Sequence, residues 1–177
     1  MNMLYRMKDM GFQLSWKLIS MGVYGICFRE GEKCISPLTR ADVIEYMYDR
    51  LTVIDEQTDT IIALVCQEND FDSFDKLLKQ LASKDKSDSF IQKRKWRACL
   101  LKDVLDRMDD DWWDGLSEFM LFWISLMGLP EDCPLTFSDG SKELNQSFYT
   151  KENFFAAVEI NRAWLAKEIA TIVELET

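Results

Sequence analysis

The sequence has no histidine, and only 3 proline and 7 glycine residues in 177. Without histidine there is no Ser-His-Asp triad, no Cys-His pair and no imidazole metal ligand. So few turn residues exclude a turn-dense β-sandwich. Cysteine is sparse as well: Cys27, Cys34, Cys66, Cys99 and Cys133 are odd in number and form no Cys-x-x-Cys pair. Zinc sites and thioredoxin-like motifs are therefore poorly supported. Cys66 and Cys99 lie in apolar segments, where cysteine acts as a small buried hydrophobe. Scattered, unpaired thiols suit a reducing cytosol, which leads us to expect a cytoplasmic protein. No export signal is evident, because Asp9 and Lys17 interrupt the approach to the uncharged run Leu18–Phe28 and no small-x-small cleavage site follows. The longest tempting apolar stretch, Phe119–Pro130, falls short of the roughly 20 residues a membrane span needs.

What is present is acid and apolar surface. The chain carries 31 Asp+Glu against 21 Lys+Arg, a formal net charge of −10. That excess argues against binding to nucleic acid or anionic membrane, both of which reward Lys and Arg. Hydrophobic residues make up 47%, enough for a packed core. The length fits one domain, so residues 1–177 are expected to form a single all-α domain.

The apolar residues recur with helical spacing. A first helix is expected over about Leu4–Met21, with Phe12, Trp16 and Ile19 on one stripe and Gly22 and Gly25 breaking it. Residues 23–35 can form a small β-hairpin about Glu30-Gly31-Glu32. Thr39, with Asp42 three residues on, reads as the cap of a second helix lined by Val43, Met47 and Leu51. A third spans about Glu56–Gln67 with Ile61, Leu64 and Val65 inward. Asp72 or Ser73 opens a fourth, buried through Phe74, Leu77, Leu78 and Leu81. The fifth covers about Phe90–Met108, and the sixth opens at the Asp run and stops at Gly128-Leu129-Pro130. Asp139-Gly140-Ser141 reads as a turn within a long loop. Thr150 caps a last helix, Lys151–Glu174, whose stripe (Phe155, Val158, Arg162, Leu165, Ile169, Ile172) contains one basic residue suited to a buried ion pair. Six to seven amphipathic helices in stacked antiparallel pairs, an irregular helical-repeat-like arrangement, are the expected architecture.

Charge is blocked along the chain. Leu51–Asp75 and Met108–Ser141 hold acids and no base, and the largely basic stretch Lys84–Lys102 lies between them. These are either solvated faces that pair with one another, or a negative patch that steers a basic protein partner. The candidate contact residues are Asp109, Asp110, Asp111, Trp112, Trp113 and Asp114. Asp110, Asp111 and Asp114 also fit a D-D-x-x-D spacing, which on a helix can hold Mg²⁺. The run equally sits where acids cap a helix start.

Four segments taken in order resemble a bacterial domain-of-unknown-function family, family 2247: Leu14–Leu18, Ile35–Ile44, Arg94–Leu101 and Met127–Glu131. The resemblance covers about Phe12–Asp132. It implies a small, helical, cytoplasmic, acidic protein like the immunity proteins of bacterial polymorphic or contact-dependent toxin systems, with a cognate toxin as partner. An immunity protein needs a complementary surface and neither catalysis nor cofactor, and many nuclease toxins are basic. No functional residues come with the resemblance. A Mg²⁺-dependent all-α enzyme using Asp110, Asp111 and Asp114, or a helical scaffold for another protein, are the alternatives.

Overall fold

A computed structural model describes residues 2–28, 31, 34–52, 57–108, 111–127, 131–134 and 148–177. Within them the architecture is all-helical: α1 (Met3–Asp9), α2 (Trp16–Tyr24), α3 (Arg40–Arg50), α4 (Thr58–Val65), α5 (Phe71–Lys84), α6 (Ser89–Arg107), α7 (Trp112–Met120), a π-helical continuation of α7 (Leu121–Leu126), and α8 (Lys151–Leu175). None of these helices is long and apolar enough to cross a membrane.

Short polar side chains set the starts. Asn2 caps α1, accepting from Leu4 N at 3.0 Å. Ser15 caps α2, accepting from Leu18 N at 3.1 Å. Thr39 caps α3, as the sequence suggests, and the structure adds that Thr39 and Asp42 satisfy each other's backbone N–H groups in a reciprocal capping box. Thr150 accepts from Asn153 N at 3.2 Å at the start of α8. Each such cap satisfies an otherwise orphaned donor and is worth about 1 kcal/mol.

The structure corrects several expectations. The first expected helix is two, so the described residues hold more helices than the six or seven read from periodicity. Gly11, at φ +82°, takes a left-handed conformation that ends α1, and Ser15 then restarts the chain as α2. Gly22 does not break α2 but lies inside it, and Gly25 at φ +123° ends it. The expected hairpin at 23–35 is reduced, among the described residues, to one antiparallel bridge between Ile26 and Ile35; Glu30 and Glu32 lie outside them. Beside that bridge, Cys27 and Cys34 form a disulfide with Cα atoms 4.3 Å apart, so these two thiols are not unpaired. Cys66 is exposed, whereas Cys99 is buried as expected. Asp70, not Asp72 or Ser73, caps α5, because its carboxylate accepts from Ser73 N at 3.1 Å. The expected start of the third helix at Glu56, the Gly128–Pro130 stop and the Asp139–Ser141 turn lie outside the described residues.

The chain forms two compact units, the first comprising Met1–Cys27, Glu32–Trp96 and Glu176, the second Phe28–Gly31, Arg97–Leu175 and Thr177. In the first, α2 packs on α5, α1 on α3, and α4 on both α3 and α5. The pairing therefore departs from a run of consecutive helix pairs, since α2 packs on α5. Leu18, Val43, Met47, Leu64, Phe74, Leu78 and Trp96 fill the core. Trp96 donates from Nε1 to Leu18 O at 3.0 Å. A Cβ at Gly22 would lie 2.7 Å from Leu38 and collide with Trp96, so only glycine admits the indole there. At the surface Asp75 of α5 accepts a two-point fork from Arg40 (2.9 and 3.0 Å) and the Tyr24 hydroxyl at 2.9 Å. The Arg40 guanidinium, aided by Tyr24, holds the Asp75 carboxyl below the usual carboxylate range.

In the second unit α7 packs on α8. The buried line of α8 is Phe154, Val158, Asn161, Leu165, Glu168 and Ile172. Both polar members have partners: Asn161 Oδ1 accepts from Trp123 Nε1 at 2.7 Å, and Glu168 accepts from Arg97 at 3.0 Å. Arg97 also forks onto Asp132 (3.1 and 2.9 Å) and lies over the Trp164 ring, 4.8 Å from its centroid. Arg162, expected in a buried ion pair, is exposed and pairs with Glu159 three residues before it.

Candidate functional site

The acidic run resolves into a helix start with an exposed aromatic edge. Asp111 caps α7: its Oδ1 accepts from Trp113 N at 2.9 Å and from Asp114 N at 3.2 Å. Its charge also faces the positive end of the helix, as does that of Asp114 in the first turn. Trp112 is half-buried. Trp113 is 47% exposed and stacks on Tyr149, with ring centroids 4.2 Å apart and planes 28° from parallel. Trp112 meets Trp113 edge-on at 5.8 Å. Leu121, 62% exposed, continues the same helical stripe two turns on from Trp113.

Alongside lies a groove of about 460 Å³, lined by Arg107, Met108, Asp111, Asp114, Gly115, Ser117, Glu118 and Leu121. The one cation among its described lining residues, Arg107, is engaged by Glu118 at 2.9 Å and Asp103 at 3.1 Å. Asp111 and Asp114, which line it, have no ion pair among the described residues.

A fixed base supports this face. Gly115 brings α7 against α8: a Cβ there would strike the Phe154 ring, with Cδ2 at 3.0 Å. Behind it Trp123 meets Phe122 edge-on at 4.9 Å and Trp164 edge-on at 5.0 Å. The exposed aromatic edge is thus presented from packed helices.

Of the six residues singled out in the sequence, the structure brings Asp111, Trp112, Trp113 and Asp114 together on one helical turn. Asp109 and Asp110 lie outside the described residues. The D-D-x-x-D reading thus has two of its carboxylates described, one committed to backbone N–H groups. Among the described residues no group of three Asp, Glu, Cys or His is placed to hold a metal ion. Sequence reasoning did not find Leu121, Glu118 or Tyr149. The first two were accessible through the four-residue spacing from Trp113 and Asp114. Tyr149 is distant in the chain and only the fold brings it in.

A family model described as "Uncharacterized protein conserved in bacteria (DUF2247)" matches residues 4–169. The chain belongs to this family. The DUF2247 match takes in α2 to α7 whole, with most of α1 and α8, and so includes residues of both compact units. It extends beyond the Phe12–Asp132 span that carries the sequence resemblance. No curated protein and no solved structure matches the chain.

Proposed function

We propose that this protein is a non-enzymatic, immunity-type protein that binds and neutralises a cognate bacterial toxin through the acidic and aromatic face of α7. The observation that carries the reading is Trp113, half exposed on a packed helix, stacked on Tyr149 and flanked by Asp111 and Asp114, which have no ion pair among the described residues. Tryptophan and tyrosine are the side chains that most often dominate a protein interface, since they bury large area at small entropic cost. The surrounding carboxylates supply an attractive field for a basic partner, which speeds encounter and sets orientation. Neutralisation then needs only that the bound α7 face cover the toxin's working surface. We place the encounter in the cytoplasm, although the Cys27–Cys34 disulfide is the one feature among the described residues that favours an oxidising compartment.

The test is co-expression with the toxin encoded by the adjacent upstream gene, with gel filtration of the pair. Rescue of growth and a stable complex are expected. Because Asp111 is also the α7 cap, the charge test uses Asp111→Asn, which keeps an acceptor, together with Asp114→Lys. That pair should flatten the salt dependence of binding, and Trp113→Ala should cost about 2 kcal/mol or more, roughly thirtyfold in Kd. Full rescue by both variants at unchanged affinity would remove this face from the interface.

A further inference from the structure

The stretch between α2 and α3 carries a feature independent of the toxin-binding reading. Ile26 and Ile35 exchange both backbone hydrogen bonds: Ile26 N donates to Ile35 O at 2.8 Å, and Ile35 N to Ile26 O at 3.1 Å. The pair next to such a doubly bonded pair, here Cys27 and Cys34, falls at the non-hydrogen-bonded position of an antiparallel ladder. Facing Cα atoms there lie about 4.5 Å apart. Those of Cys27 and Cys34 are 4.3 Å apart, and the two residues form a disulfide. Gly25 makes room for this approach, since a Cβ on it would lie 3.0 Å from Cys34 Cβ and its φ of +123° disfavours any side chain.

Three features bear on what the bond does. Cys34 is exposed and Cys27 half-buried, so a thiol in solution has a side from which to reach Cys34, and exposed disulfides are the exchangeable ones. The cysteines are seven positions apart, and a disulfide that closes so short a loop restrains the unfolded chain least. Its neighbour is a single bridge, and a two-stranded pairing is at best marginally stable without further support. The base of the stretch has another tie: Leu38 N donates to Gly22 O at 3.0 Å, and Leu38 is buried. The hold of the disulfide is therefore concentrated on the Ile26–Ile35 pair beside it.

We infer that Cys27–Cys34 is a reversible thiol–disulfide switch, opened by a low-molecular-weight thiol, that releases the Ile26–Ile35 pairing while the helices stay packed. The external thiolate attacks Cys34 Sγ. The S–S bond breaks, and its electron pair leaves on Cys27 Sγ, which takes a proton from water. A second external thiolate attacks the external sulfur of the mixed disulfide, and Cys34 leaves as a thiolate that is protonated in turn. Two external thiols thus become one external disulfide, and the protein disulfide becomes two thiols. The reverse runs when the external disulfide is abundant, and the cross-strand position brings the two cysteines back together. A switch of this kind is also the form in which disulfides occur in reducing compartments.

The full chain is equilibrated with reduced and oxidised glutathione, from equal amounts to a roughly thousandfold excess of the reduced form. Alkylation and peptide mass spectrometry read the state of Cys27 and Cys34, circular dichroism reads the helices, and amide hydrogen exchange by NMR reads the bridge. The bond should pass from mostly oxidised to mostly reduced within this series, with helix content unchanged. On reduction the Ile26 and Ile35 amides should exchange about tenfold faster or more, and the Leu38 amide should stay within about twofold. Cys27→Ser combined with Cys34→Ser should exchange like the reduced chain and not respond to glutathione. A bond that survives every ratio is a structural one, and a bond that forms at none is no switch; either result overturns the inference. So does a reduced chain that unfolds, that loses protection equally at Leu38, or that exchanges Ile26 and Ile35 at the oxidised rate. If the serine variant does not fold, the reduced unsubstituted chain decides by the same readings.

Discussion

Asp111 carries two roles that a run of consecutive aspartates hides. It closes the α7 N-terminus through Oδ1 and leaves its charge on the groove beside Trp113. The two roles separate by substitution. Asp111→Ala removes the acceptor and should cost about 1 kcal/mol of stability, whereas Asp111→Asn keeps it and should cost only a few tenths. Urea unfolding of the two variants checks this; equal losses would mean that charge, not the hydrogen bonds, holds the helix start. That a cap lay in this run was legible, since acids before an apolar helical segment suit its positive end. Which residue caps was not, because adjacent aspartates offer alternative registers differing by one residue. The same ambiguity misplaced the start of α5: Asp70, Asp72 and Ser73 are all competent caps. Only Asp70 has its carboxylate on both the Ser73 N–H and, at 2.7 Å, its hydroxyl.

At the scale of elements, the existence of the helices was legible from their apolar spacing, but their buried faces were less so. The stripe expected on α8 ran through Phe155, Arg162 and Ile169. The buried line instead places Phe154, Asn161 and Glu168 between Val158, Leu165 and Ile172, so that the steps along it alternate between four and three residues. A polar amide and a carboxylate at repeating positions read as surface until Trp123 and Arg97 are seen to satisfy them. The one-residue shift turns Phe155 and Arg162 outward. The contact that fixes this face is Gly115 of α7 against Phe154. Gly115→Ala would gain about 1 kcal/mol in helix propensity but force the Phe154 ring aside, an overpacking cost of about 1–3 kcal/mol. A net loss is expected in denaturant unfolding of α7 and α8 signals. Adding Phe154→Leu should make the alanine less harmful than it is alone, and strict additivity of the two would show that the ring does not set the approach.

At the scale of the whole chain, the shifted titrations give the first unit a stability limit at each end of the pH range. Arg40 holds Asp75 down, and the Ser73 hydroxyl and N–H hold Asp70 down. Burial pushes Asp85 up, but the backbone N–H groups of Lys17 and Ser87 outweigh it and leave it below the usual range. A carboxyl lowered in the folded state contributes stability that is present above the unfolded aspartate value of about 4 and is lost as pH falls below it. The tyrosines work in the opposite sense. The hydrogen bond to Asp49 pushes Tyr5 up to about 12, and burial, with the bond to Asp75, raises Tyr24. Their contribution is present below the unfolded tyrosine value of about 10 and is lost as pH rises through the folded values. Asp75 takes part in both limits, since it accepts from Arg40 and from Tyr24 on helices α3 and α2. Amide hydrogen exchange of α2, α3 and α5 should therefore show protection falling on acidification below about pH 4 and again above about pH 10. Asp75→Asn should shallow the acid limb, because the amide neither titrates nor pairs with Arg40 as a charge. Tyr24→Phe should shallow the alkaline limb and leave the Arg40 fork in place. Acid and alkaline limbs unchanged in both variants would show that this three-residue junction does not set the pH range of the first unit.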